Sequence, residues 1–407
     1  MQRIVFVNLH ANEFLLKTLS KYIWKHSCAF KHKYFLEYLL DNPDIEVCNY
    51  INEDGFTLVT SFPKPIMKVL KKLRFLENRI TMRLNKLHGK NIKVLKKRSD
   101  IRQDDIVIGY RHVPRSLTDM EKIKAFKAIS MIHFHGEQSD SDRIKKANPD
   151  YLFNECDLSR TSEIFRKYYS WYKKPFIVHS FVAAPRFQRL KSFNTRENKC
   201  FSTGTITYKH HPEFLKVYGD PCDQPTRKQI LVNRQELDDF CACYNSDYLE
   251  DSDVKKYLTT DNFFQHYYKV WYNSTHAGQQ KKYFSFNMVD KFNDYKFCLV
   301  GEEILGVPGI GFVEGMSCGC AYIGQKIGYY EDLGMQEGVH YIGYDGTLVD
   351  LKKKISYYQM PEHQQKLEEI ANAGYEFAKK HFTKEHVAAD LLNQLIEAKD
   401  QTLKSKD

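Results

Sequence analysis

Residues 295–325 read YKFCLVGEEILGVPGIGFVEGMSCGCAYIGQ, and this run decides the fold. Its opening is apolar and predicts a buried strand over 296–300. Glycines at 306, 309 and 311 then interrupt the pattern, a helix is expected over 313–317, and 321–324 reads as the next strand. Strand, loop, helix and strand in close succession are the unit of a parallel sheet, since two parallel strands need a crossover between them. Glycines at the helix entrance, Gly309 and Gly311 with Ile310 between them, let backbone N–H groups approach phosphate oxygens, and the helix dipole adds positive potential there. A diphosphate fits such a place. Glu314, in the first helical turn, offers a carboxylate to two adjacent ribose hydroxyls; the bland reading of the same residue is a surface acid that complements the dipole.

The alternation extends in both directions. Strands are expected over 3–9, 46–51, 105–110, 128–134, 151–154 and 176–179, with helices over 13–24, 31–40 and 117–127 between them. After an aperiodic connection over 183–197, a second series has a strand over 200–203, helical character over 228–243, and helices over 348–358, 362–381 and 384–398. The chain of 407 residues is longer than one hydrophobic core usually fills. We therefore expect an α/β protein of two doubly wound, Rossmann-like domains facing each other across a cleft, over 1–190 and 191–383, with a final helix over 384–407 that crosses back to the first domain. In this architecture ligands sit at the carboxyl ends of the strands.

Composition narrows the function. The ten cysteines fall singly or as C-x-C, with no CxxC pair, which suits buried free thiols and gives no zinc framework. No apolar run is long enough to span a membrane and no signal peptide is legible, so a cytoplasmic protein is expected. The formal charge of +10 is concentrated: residues 64–98 hold thirteen Lys or Arg against a single acid, Glu77. Within them Ile66, Val69, Leu73, Leu76, Ile80, Leu84 and Leu87 recur at helical spacing, predicting one basic amphipathic helix. Three readings stand: a helix lying on an anionic membrane surface, a rim that attracts a phosphorylated substrate, or an ordinary solvated helix. No nucleic-acid recognition motif accompanies the charge, so a nucleic-acid partner is not expected.

The run Phe312-Val313-Glu314-Gly315-Met316-Ser317-Cys318-Gly319-Cys320-Ala321-Tyr322-Ile323 resembles the nucleotide-sugar signature of GT-B glycosyltransferases of the group 1 type, and the likeness covers about 180 residues, from near Asn198 to the C-terminus. The resemblance implies that Glu314 grips the donor ribose. Many members carry a second Glu eight residues upstream, near the transferred sugar; here that position is Gly306, and Glu302 or Glu303 would have to substitute, with Glu303 our catalytic candidate. A glycine and a cation after the first strand of the donor domain bind the diphosphate in the family. Gly204, Thr205 and Lys209 match that element, with Thr205 where an Arg is usual, and Lys209 is positioned to balance charge on the leaving diphosphate. At the end of the strand expected over 128–134, His133-Phe134-His135-Gly136 resembles a family His-x-His. There the second histidine, His135, touches the donor sugar, and His133 shares its side of the strand and is assigned to the acceptor.

The loop after the first strand contributes His10 as a further acceptor-side candidate. Were the reaction inverting, His10, Glu137 or Asp140 would be the available bases; the resemblance leans to retention. The triplets 140–142 and 251–253 have the form DxD, but neither follows a clear strand, so no metal and no cofactor other than the nucleotide sugar is expected. The leading reading is a metal-independent glycosyltransferase (hexosyltransferase type) acting on a glycan or lipid-linked saccharide in polysaccharide or glycoconjugate synthesis, peripheral at the inner membrane face. The alternative is a non-catalytic sugar-nucleotide or glycan-binding protein of the same fold.

Overall fold

The computed structural model describes residues 1–23, 30–58, 69–113, 115–247 and 286–404. Residues 251–253, the second DxD triplet, lie outside them, as does the start of the basic segment.

Two all-parallel sheets form the frame. The first has seven strands, β1 (Gln2–Val7), β2 (Ile45–Tyr50), β3 (Ile92–Leu95), β4 (Ile106–Tyr110), β5 (Phe126–Ser130), β6 (Tyr151–Asn154) and β7 (Ile177–Val178), in the order β3-β2-β1-β4-β5-β6-β7. The second has five, β8 (Glu197–Ile206), β9 (Cys241–Asp247), β10 (Tyr295–Leu299), β11 (Ala321–Gln325) and β12 (Ile342–Tyr344), in the order β12-β11-β10-β8-β9. Central strands such as β1, with Ile4, Val5 and Phe6 fully buried, are apolar on both faces because helices cover both sides. The helix Lys384–Lys404 packs on the first sheet and on the helix Lys33–Asp41, burying Val387, Leu391 and Leu395 in the first domain's core. Where the two interdomain connections run side by side, the Ala183 N–H donates to the Phe382 carbonyl at 3.0 Å.

Several expectations change. The basic segment is not one helix over 64–98. Among the described residues it is a 3-10 turn, Lys71–Leu73, and a helix, Arg74–Leu84, followed by the edge strand β3. Nor is the apolar spacing the buried face. Val69, Leu73 and Leu76 are exposed, whereas Glu77, Asn78 and Thr81 are buried. Glu77 accepts from the Thr57 N–H and hydroxyl, and Asn78 Oδ1 accepts from Asn49 Nδ2 at 2.9 Å, so fixed polar partners override the hydrophobic pattern. The helix expected over 117–127 is a single 3-10 turn, Met120–Lys122, that runs into β5. That strand ends at Ser130, short of the histidines. The helical character over 228–243 belongs to the helix Pro225–Val232 alone; the edge strand β9 follows it.

Candidate functional site at the interdomain cleft

The carboxyl ends of the two sheets enclose a cleft of about 730 Å3. On the second domain's side it is organised by Arg227, which the sequence reading did not single out. Pro225 opens the helix Pro225–Val232, its missing N–H costing nothing at that position. Two residues on, the Arg227 guanidinium reaches across the strand ends, with Nη1 donating to Thr205 O and Nη2 to Gly301 O, both at 2.8 Å, and Nε donating to Val300 O. One buried cation thus ties β8 to β10, close to where the family would place an Arg at position 205. Gly204 has φ 141°, and a Cβ there would meet the guanidinium at 2.6 Å. At Gly309 a Cβ would lie 2.9 Å from Nη2 of the same arginine.

Lys209 lines the cleft just beyond β8. Its Nζ lies 2.8 Å from Oδ2 of Asp223, another residue without a motif. Burial first, then the nearby Glu303 charge, raise the Asp223 carboxyl to about 6 against the opposing Lys209 and Arg227. Asp223 Oδ1 is buried without a hydrogen-bond partner. Glu303 also lines the cleft, its N–H donating to Val307 O at 2.9 Å. Glu302 turns the other way: its Oε1 accepts from the Gln325 N–H at 2.9 Å and from the Tyr322 and Tyr330 hydroxyls. Of the two candidates only Glu303 faces the cleft. Gly306 explains the missing upstream Glu, because a Cβ on it would lie 2.2 Å from the Thr161 carbonyl oxygen of the first domain. The backbone there is an interdomain contact with no room for a side chain.

On the first domain's side His133 and His135 both line the cleft. They do not share a strand face, since β5 has already ended; His133 adopts φ 55°, a left-handed conformation that turns the chain, and the two rings lie 6.4 Å apart. Crowding in the cleft, then the charges of Lys31 and neighbouring groups, lowers His133, although its side chain keeps contact with solvent; burial, then Arg111 and Lys209, lowers His135 to about 3. Both imidazoles are therefore neutral at pH 7. His10 is elsewhere. It is fully buried, Nε2 lies 2.8 Å from Gly55 O, and burial lowers its pKa to about 4. A ring engaged in this way behind the cleft is a core histidine and not an acceptor contact.

Glu314 sits in the first turn of the helix Gly311–Ser317. It is half-buried and is not among the residues lining the cleft. Burial raises its carboxyl to about 7, with Arg186 of the connecting segment opposing. Of the proposed bases, Asp140 is committed to Arg111 and Arg143. Residues 140–142 of the first DxD triplet lie in the helix Gln138–Ala147. Among the described residues no group of three or more His, Cys, Asp or Glu side chains is arranged to hold a metal ion.

Two solved structures share this architecture over the whole of this chain. Sucrose-phosphate synthase from Thermosynechococcus elongatus aligns over 100% of both chains at 11% identity with a TM-score of 0.51. An O-GlcNAc transferase mutant from Thermobaculum terrenum aligns over 100% of this chain and 69% of its own at 12% identity with a TM-score of 0.50. Residues 268–393 match the family described as glycosyl transferase-like. The chain has the GT-B fold, and within its C-terminal half the matched stretch is similar to the glycosyl transferase-like family. Anabaena HepE in complex with UDP is also similar, over 97% of this chain and 99% of its own, at 10% identity with a TM-score of 0.48. No curated protein matches the chain significantly by sequence. In GT-B terms, Lys209, Arg227 and Glu303 lie on the C-terminal wall of the cleft, and His133 and His135 on the N-terminal wall. Arg227 and Asp223 were missed because they come from a stretch without a recognisable motif. The one signal for Arg227 was Pro225 at a helix start, which aims the next turn at the strand ends.

Proposed function

We propose that the chain transfers a sugar from a nucleotide-sugar donor, held in the interdomain cleft, to a saccharide or lipid-linked saccharide acceptor. The observation that carries this reading is the pairing of walls: Lys209 and Arg227 concentrate positive charge on one side, and the neutral imidazoles of His133 and His135 face them from the other. As the bond from the anomeric carbon to the phosphate oxygen breaks, negative charge builds on the nucleoside diphosphate, and a fixed cation at that position stabilises the transition state more than the ground state. Lys209 is assigned this role. A neutral His135 hydrogen-bonds sugar hydroxyls without competing with the diphosphate for the cations. Glu303 is the carboxylate on the sugar side, and Glu314 the partner of the ribose hydroxyls.

We infer a retaining hexosyl transfer that uses no metal. The acceptor hydroxyl approaches on the face the diphosphate leaves, its proton passes to the departing phosphate oxygen, and no protein base is needed. The acceptor belongs to cell-surface polysaccharide or glycoconjugate synthesis. In support, Val69, Leu73 and Leu76 are exposed beside Lys72 and Arg79, a surface suited to the anionic inner face of a membrane. No described helix is long and apolar enough to cross one.

Thermal-shift screening against UDP-, GDP- and ADP-sugars tests the reading, because a ligand of the folded state raises apparent stability. One donor class is expected to raise Tm and to be hydrolysed or transferred. A shift from none of them would overturn the proposal. Binding without turnover would favour the non-catalytic reading, for which Gly306 in place of the upstream Glu is the specific argument.

A further inference from the structure

The N-terminal floor of the cleft holds a carboxyl group that, among the described residues, has no Lys or Arg within ion-pair distance. Glu155 follows β6 and lines the cleft although it is only 2% exposed. Its Oε1 receives no hydrogen bond. The nearest basic nitrogen is Nε2 of His32 at 3.9 Å, and that ring does not supply a charge: burial, then the neighbouring His179, Lys31 and His112, holds its pKa well below the ordinary histidine value. His32 Nδ1 lies 3.1 Å from the Tyr110 hydroxyl, so the ring is fixed from behind. Beside Glu155, Oδ1 of Asn154 is likewise buried and unpartnered, its amide pointing back to Cys156 Sγ at 3.5 Å. A buried carboxyl oxygen or amide oxygen without a donor is costly to leave so, and both residues line the cleft.

Two neighbouring acceptors call for a ligand that brings donors. A phosphate brings acceptors and like charge, so it belongs on the opposite wall with Lys209. A hydroxyl-rich, uncharged ring brings O–H donors that suit both oxygens. We propose that Glu155, with Asn154 beside it, binds the hydroxyls of the sugar in the cleft. The proposal rests on the donor reading above. The hydroxyls belong either to the sugar of the donor or to the acceptor, and both present the same chemistry.

The test compares wild type, Glu155→Gln and Glu155→Asp by calorimetry with UDP, GDP, ADP, UDP-glucose, GDP-mannose and ADP-glucose. Transfer to free glucose, galactose and N-acetylglucosamine is assayed in parallel. If the hydroxyls are the donor's, Glu155→Gln keeps the affinity for the preferred nucleoside diphosphate within about twofold and binds the matching nucleotide sugar at least about tenfold more weakly. If they are the acceptor's, both affinities persist, donor hydrolysis by water continues and transfer falls at least about tenfold. Glu155→Asp, which withdraws the carboxylate by one methylene, shows the same pattern more weakly and keeps the test readable should the Gln variant fail to fold. Variants that match wild type in nucleotide-sugar affinity and transfer overturn the proposal, as does an equal loss for diphosphate and nucleotide sugar. Wild type that binds none of the six probes overturns the donor reading itself.

Discussion

The Arg227 guanidinium lies across the Cα of Gly204, so that a methyl group there would sit 2.6 Å from both Cζ and Nε. This contact lets a single cation cap the ends of β8 and β10 while its charge faces the cleft. Gly204→Ala meets both the clash and an unfavourable φ of 141°, and is expected to cost about 2 kcal/mol or more in urea unfolding. Nucleoside diphosphate affinity should fall with it. Unchanged stability would mean that Arg227 swings aside freely.

Lys209→Met keeps the aliphatic stem near the Phe214 ring, above which Nζ now lies at 5.9 Å, and removes the charge. Diphosphate affinity should drop at least about tenfold, which corresponds to about 1.4 kcal/mol. The variant also leaves the buried Asp223 without its cation. Its carboxyl, already raised to about 6, then rises further, and the folded chain holds a proton that the unfolded chain releases from about pH 4 upward. The stability deficit is therefore largest near pH 8 and shrinks as pH falls below the folded pKa. A deficit independent of pH in calorimetric unfolding would contradict the pairing.

Glu314, raised to about 7 by burial, is only partly ionised at neutral pH in the empty protein. A nucleotide sugar has no titrating phosphate in this range, so its affinity should rise as pH increases through about 7, where the carboxylate becomes able to accept ribose hydroxyls. In Glu314→Gln the profile should be flat and the affinity at pH 8 lower by roughly 1.5–3 kcal/mol. Parallel profiles for the two proteins would remove Glu314 from the donor site.

Leu73 and Leu76 are exposed and support no core. Replacing both by Gln should leave Tm within a degree or two while weakening association with vesicles rich in phosphatidylglycerol. Neutralising Lys72 and Arg79 should reduce the salt sensitivity of the same association. Equal vesicle binding by all variants would exclude this surface as a membrane contact.

How much of this was legible in the sequence depended on whether local pattern or distant partners decided each element. The buried strands β1, β6, β10 and β11 were readable because both faces are apolar. The edge strands β3 and β9 were not: β3, IKVL, alternates with a lysine and passes for part of a basic helix, and β9, CACYNSD, lacks the β-branched residues that mark a strand. In the cleft, Thr205, Lys209, Glu303, His133 and His135 stood beside glycines or strand ends and were found. Arg227 and Asp223 come from a segment with no strand end, where Pro225 is the one local signal, and Glu155 stands at the end of β6 with no motif to single it out. His10 had the right address on the chain but is sealed in by Gly55, a neighbour forty-five residues away.

The rung between Ala183 and Phe382 joins the one place where the chain leaves the first domain to the one place where it returns. The two connecting segments are therefore held side by side at that point, and the lobes are joined there by two covalent links in place of one. The same double tether means that thermal loss of either lobe pulls on the other, so the two should melt as one cooperative unit.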